Sequence, residues 1–81
     1  MIGTNQETIL FELERHPLIT KSSLRKIIHL SKEQLNDSFS GLKKLGYVHS
    51  HVSDRRYRSA LVHITPEGLD YLRTRFSYES G

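Results

Sequence analysis

Two helical apolar stripes near the middle of this chain are separated by almost nothing. Leu24, Ile27 and Ile28 recur at helical spacing within about Lys21 to His29, and Leu35, Phe39, Leu42 and Leu45 follow at spacings of 4, 3 and 3. Only Leu30 and Ser31 stand between them. Ser31-Lys32-Glu33-Gln34 is a capping box, in which a hydroxyl serves the free amides of a helix start and a Gln three residues on answers it. Gly46 falls where a helix C-cap belongs, so the second of these helices is delimited at both ends. Any fold for this chain must accommodate two helices joined by a tight turn.

The flanking segments narrow the choice. Thr4-Asn5-Gln6-Glu7 reads as another capping box, opening a helix with Ile9, Leu10 and Leu13 inward, and Pro17 ends it. Leu18, Ile19 and Thr20 form a short extended piece. From Tyr47 the period changes to two: Val48, Ser50 and Val52 point one way, Tyr47, His49 and His51 the other. Ser53 to Arg56 is turn-like, and a second strand, about Arg58 to Ile64, places Ala60, Val62 and Ile64 on one face. Thr65-Pro66-Glu67 opens a last helix with an N-cap hydroxyl, a proline in the first turn and an acid at the positive dipole end. Leu69, Leu72 and Phe76 form its inward stripe. The order is helix, short strand, helix, helix, hairpin, helix, and the turn at Leu30-Ser31 is that of a helix-turn-helix unit. The expectation is an α+β, mostly α, fold with a three-helix core, a two-stranded β-wing and a C-terminal helix. The 81 residues suffice for one domain spanning 1–81, with a core of about 4–76 and a frayed tail at 77–81.

Charge is unevenly placed. The net charge is only +3, yet residues 21–58 carry nine basic and three acidic side chains while both ends are slightly acidic. A basic middle suits a polyanionic partner, although a solvated basic face would look the same. There is no cysteine, which excludes disulfides and thiolate metal sites. No apolar run approaches a membrane span, and no basic flank leads into an apolar leader, so no membrane partner and a cytoplasmic location are expected. The sequence has no Gly-rich phosphate loop and no nucleophile-elbow pattern, so no enzyme activity and no cofactor are expected.

The run Gly41-Leu42-Lys43-Lys44-Leu45-Gly46-Tyr47-Val48, then Asp54-Arg55-Arg56, then Val62-His63-Ile64-Thr65-Pro66-Glu67-Gly68, resembles the winged helix-turn-helix domain of MarR- and PadR-type regulators. It matches their recognition-helix end, LGxV-type turn, D-x-R wing and L-T-x-x-G helix start, over most of residues 5–72. Without the long terminal helices of MarR proteins, the chain is expected to be a minimal stand-alone version. The resemblance implies a sequence-specific regulator of transcription that binds double-stranded DNA, with the third helix in the major groove.

On that helix the outward candidates are Lys32, Gln34, Asn36, Ser40, Lys43 and Lys44: Asn and Gln can pair bidentately with adenine, and lysines suit phosphates. On the wing they are Arg55, Arg56 and Arg58, placed for phosphate or the minor groove. Glu33 and Asp37 on the same helix face favour the alternative of a protein-interaction module, with Asp37 needing a partner such as Lys43 or Lys44. Phe11, Tyr71 and Tyr78 lie off the inward stripes and are expected to be left over as homodimer contacts. No small-molecule effector is evident. His49, His51 and His63 share the outer hairpin face if odd positions pair. Three imidazoles there could bind zinc, but such residues are more often polar surface, and no metal is expected.

Overall fold

Helix α1 (Thr4–Arg15) lies at the centre of the molecule, packed against α2 (Lys21–Ile28), α3 (Lys32–Leu45), α4 (Pro66–Phe76) and strand β3 (Leu61–Ile64). The structure is a computed structural model that describes residues 2–51 and 60–76. Strands β1 (Ile19–Thr20) and β2 (Val48–His51) complete the elements, and the antiparallel sheet has the order β1-β3-β2. The fold is mostly helical with a small sheet, the winged helix expected. The hairpin gains β1 as a third strand, since the short piece before α2 pairs Ile19 with Val62 and Thr20 with Leu61.

Ile9, Leu10 and Leu13 of α1 meet Leu24, Leu35, Phe39, Leu42, Val48, Val62 and Leu72 in one buried cluster that contains no polar or charged residue. The alternation read from the sequence holds in β2 and β3, where Val48 and Val62 are buried while His49 and His51 are exposed. Two inward stripes are shorter than their spacing predicts. Leu45 is 51% exposed and Ile27 40% exposed. A helix turns about 100° per residue, so Leu45 sits about 80° round from Leu35, and Ile27 about 60° from Leu24. Both fall off the edge of the face that α1 covers.

The start of α1 also differs from expectation. Gly3, not Thr4, is the N-cap residue, and Gln6 rather than Glu7 reaches back: its Oε1 accepts from the Gly3 N–H at 2.8 Å. Glu7 is engaged elsewhere, accepting from the Tyr71 hydroxyl at 3.0 Å and facing Arg75 Nε at 3.7 Å. The other end of the Gln6 amide donates to the Ser38 carbonyl on α3 at 3.2 Å, which ties the cap to the next helix.

Phe11 and Tyr71 are not left over. Both are half-buried: Phe11 packs on Phe76 with ring centres 4.9 Å apart, and Tyr71 on Tyr47 at 5.2 Å. Helical spacing puts them off the main stripes, but α4 closes over that side of α1 and takes them in. Burial, then the Glu7 contact, pushes the Tyr71 hydroxyl pKa above its ordinary value. Tyr78 lies outside the described residues.

Gly68 lets α4 come close against backbone. A Cβ there would collide with the Tyr47 carbonyl oxygen and stand 2.7 Å from Ile64 Cγ1. Gly41 is also tight, but a Cβ there meets only the flexible end of Gln6. Gly68→Ala is therefore expected to cost about 1–3 kcal/mol, because backbone must move. Gly41→Ala should cost less than about 1 kcal/mol, because a side chain can yield. Urea denaturation of the two variants checks the order.

Candidate functional site

Helix α3 is built to hold one face still and leave the other open. Ser31 caps it, accepting from the Gln34 N–H at 3.1 Å, while Gln34 Oε1 accepts from the Ser31 N–H at 3.1 Å. At its far end Gly46 takes the left-handed conformation (φ 79°) that a side chain disfavours, and its N–H closes on the Lys43 carbonyl at 3.0 Å. Leu35, Phe39 and Leu42 fix the rear face in the core. At the entry, His29 ends α2 in the same left-handed region (φ 55°), the lone non-glycine to do so among the described residues. That conformation lets the chain reverse within three residues.

All six sequence candidates on α3 are exposed, but they do not form one surface. Taking Leu35 as the inward direction, Lys32, Asn36, Ser40 and Lys43 lie within an arc of about 80° on one side. Asn36, Ser40, Lys43 and Lys44 line a shallow depression together with Phe39 and Lys21. Gln34 points to the other side, and its carbonyl oxygen is engaged in the cap. Its proposed role in reading bases is thereby reduced to its amide nitrogen.

Asp37 makes no ion pair with Lys43 or Lys44 among the described residues. It lines a separate cleft with Ser38 and residues Gly3 to Gln6 at the start of α1. A carboxylate beside a helix N-terminus is favoured by the dipole, so its position has a local cause. Glu33 likewise stands in the first turn of α3. Lys43 and Lys44 occupy the last turn, where the dipole favours cations.

Lys21 is the site residue that sequence patterning missed. It is half-buried, with Nζ 5.0 Å from the centre of the Phe39 ring. Partial burial, and secondly the charge of Lys43, hold its pKa below the usual lysine value. The available signal was its position. Lys21 is the first residue of α2, where a cation opposes the helix dipole, and no acidic residue occupies that turn.

The outer face of the sheet gathers the three histidines. His49 pairs with His63 across the strands, and His51 follows two residues along β2. The ring centres are 4.8 Å (His49–His51), 5.4 Å (His49–His63) and 5.0 Å (His51–His63) apart. Burial first, then His51 and His49, lower the His63 pKa from its ordinary value, so it favours the neutral imidazole. Arg55, Arg56 and Arg58 belong to the segment joining β2 to β3 and lie outside the described residues.

No protein-family model matches the sequence, and no curated protein is significantly similar to it. Solved structures are similar in fold. The PcaV transcriptional regulator of Streptomyces coelicolor, in complex with its natural ligand, superposes with a TM-score of 0.81 at 21% identity, over 88% of this chain and 50% of that one. A MarR mutant from E. coli complexed with operator DNA gives 0.81 at 22% identity, over 90% and 52%. FabT of Streptococcus pneumoniae in complex with DNA gives 0.77 at 22% identity, over 94% and 55%. The chain thus has a MarR-like winged-helix fold and spans about half the length of these structures.

The capping of α3 sets where its outward residues stand. Ser31→Ala removes the acceptor for the Gln34 N–H and is expected to cost about 1 kcal/mol of stability. Amide exchange should speed up first in residues 32–35, while β2 and β3 keep their protection.

Proposed function

From this winged-helix frame, we propose that the chain is a sequence-specific regulator of transcription that binds double-stranded DNA. Helix α3 lies in the major groove, and the segment joining β2 to β3 presents Arg55, Arg56 and Arg58 to the backbone or the minor groove. The observation that carries the reading is the exposed stripe Lys32, Asn36, Ser40 and Lys43, on a helix whose opposite face is locked in the core. Asn36 and Ser40 offer hydrogen bonds to base edges, while Lys32, Lys43, Lys44 and Lys21 suit phosphates on either side. Neighbours of the same fold, E. coli MarR and FabT, are solved with DNA, which supports the assignment. Asp37 lies outside this stripe, about 60° round the helix from Ser40, and lines a cleft at the start of α1. The reading needs no cofactor and assigns no catalytic role. No described helix is long and apolar enough to cross a membrane, and a cytoplasmic location fits a DNA-binding role.

Titration of duplex DNA at several salt concentrations tests this directly. About four to six phosphate contacts per protomer give a log–log slope of about −4 to −5. Lys21→Ala should lower the slope by about 1 and weaken all sequences alike, whereas Asn36→Ala should cost about 1–3 kcal/mol at the best site and relax one base step. Binding that ignores salt, or none at low salt, would reject the DNA reading in favour of a protein-interaction module.

The DNA-bound unit is proposed to be a symmetric homodimer, since one small winged helix makes few base contacts and a two-fold pair doubles them on a palindromic site. Phe11 and Tyr71 already join α1 to α4, so substituting them disturbs the fold as well as any pairing. The oligomeric state is therefore best read on the unaltered chain. Sedimentation with operator-length DNA should show two 9.4 kDa chains per duplex. A single chain on its best site would overturn the dimer.

A further inference from the structure

The three histidines on the outer sheet face have no part in the DNA reading, and their chemistry does not depend on it. His63 on β3 stands directly opposite His49 on β2 and diagonal to His51, which pairs with Leu61. Each ring centre lies within 5.4 Å of the other two, and the His51 and His63 rings are stacked. Neutral imidazoles tolerate this closeness. Imidazolium ions do not, because like charges directly opposite in a sheet push the strands apart.

No counter-charge relieves them among the described residues. On the outer face β3 adds Leu61 and β1 adds Thr20, the partner of Leu61, and neither titrates. Helices α1, α3 and α4 pack on the inner face, behind Val48 and Val62. None of the three imidazoles makes a hydrogen bond or ion pair with a described residue; their contacts are with one another. Burial, then His51, then His49, lower the His63 pKa from its ordinary value.

In the unfolded chain the rings are apart, and each takes a proton independently at about pH 6.5. In the folded chain a proton on one ring raises the cost of the next. The unfolded state therefore binds more protons in mild acid, and stability falls with pH. The loss is absent above the ordinary imidazole value. It grows as pH falls from there toward the lowered value of His63.

We propose that His49, His51 and His63 form a proton-responsive latch between β2 and β3, closed while the rings are neutral and strained open by their mutual repulsion in mild acid. These two strands hold both ends of the segment that carries Arg55, Arg56 and Arg58, so the latch governs how firmly that segment is anchored.

Two measurements on the full chain test the latch. The first follows the His63 ring protons by NMR from about pH 8 to about pH 4.5. His63 should titrate below the ordinary imidazole value, and its midpoint should rise in His49→Gln and in His51→Gln, both at exposed positions. His16→Gln, outside the cluster, should leave it where it is. The second compares urea midpoints at about pH 7.5 and about pH 5.5. The unaltered chain should lose more of its midpoint in acid than the variant carrying both His49→Gln and His51→Gln. The proposal fails if His63 titrates at the ordinary value, if either exposed variant leaves its midpoint unmoved, if His16→Gln shifts it equally, or if the double variant loses as much urea midpoint in acid as the unaltered chain.

Discussion

The Thr65 side chain joins the end of α3 to the start of α4, and the position of α3 relative to the sheet rests on that junction. Its hydroxyl donates to the Gly46 carbonyl at 2.6 Å and accepts from the Gly68 N–H at 3.1 Å, while its backbone N–H donates to the Tyr47 carbonyl at 3.0 Å. Gly68 then seats directly against Tyr47 because it has no side chain to keep the helix away. Four elements thus meet at one residue: α3 ends, β2 begins, β3 ends and α4 starts. Removing the hydroxyl would take a partner from the Gly46 carbonyl just past α3 and from the Gly68 N–H in the first turn of α4 together.

That junction organises two surfaces of different character. On one side α3 presents the stripe from Lys32 to Lys43, with Lys21 leaning over Phe39 to join it. Next to it, Asp37 and the start of α1 share a cleft in which the carboxylate stands beside a helix N-terminus. The acidic residues that argued against nucleic acid are explained by helix ends, and the lysine that no apolar pattern singled out is explained by the cleft it borders. Helix dipoles sort these charges as much as any partner does.

Much of this was legible in the sequence, because local rules decide it. The Ser31 cap, the Gly46 stop, the Thr65-Pro66-Glu67 start and the two-residue alternation in β2 and β3 each follow from near neighbours in the chain. What the sequence left open depends on distant ones. Glu7 looks like a capping residue until Tyr71 and Arg75, on the far side of the sequence, claim its carboxylate. Phe11 looks spare until α4 folds across it. Leu45 looks inward until the limited breadth of α1 leaves it uncovered. The meeting of the three imidazoles needed the strand register, which periodicity alone cannot supply.

Strand β1 passes into α2 without a joint. Thr20 is at once the partner of Leu61 in the sheet and the cap of α2, accepting from the Ser23 N–H at 3.1 Å. The next residue, Lys21, continues the ladder by donating its N–H to the Ala60 carbonyl at 2.9 Å, although it already belongs to the helix. A rod welded to a plate behaves in this way. The direction of α2 is therefore set by β3 with no intervening loop, and Lys21, at the weld, is held where the sheet, α2 and Phe39 of α3 come together.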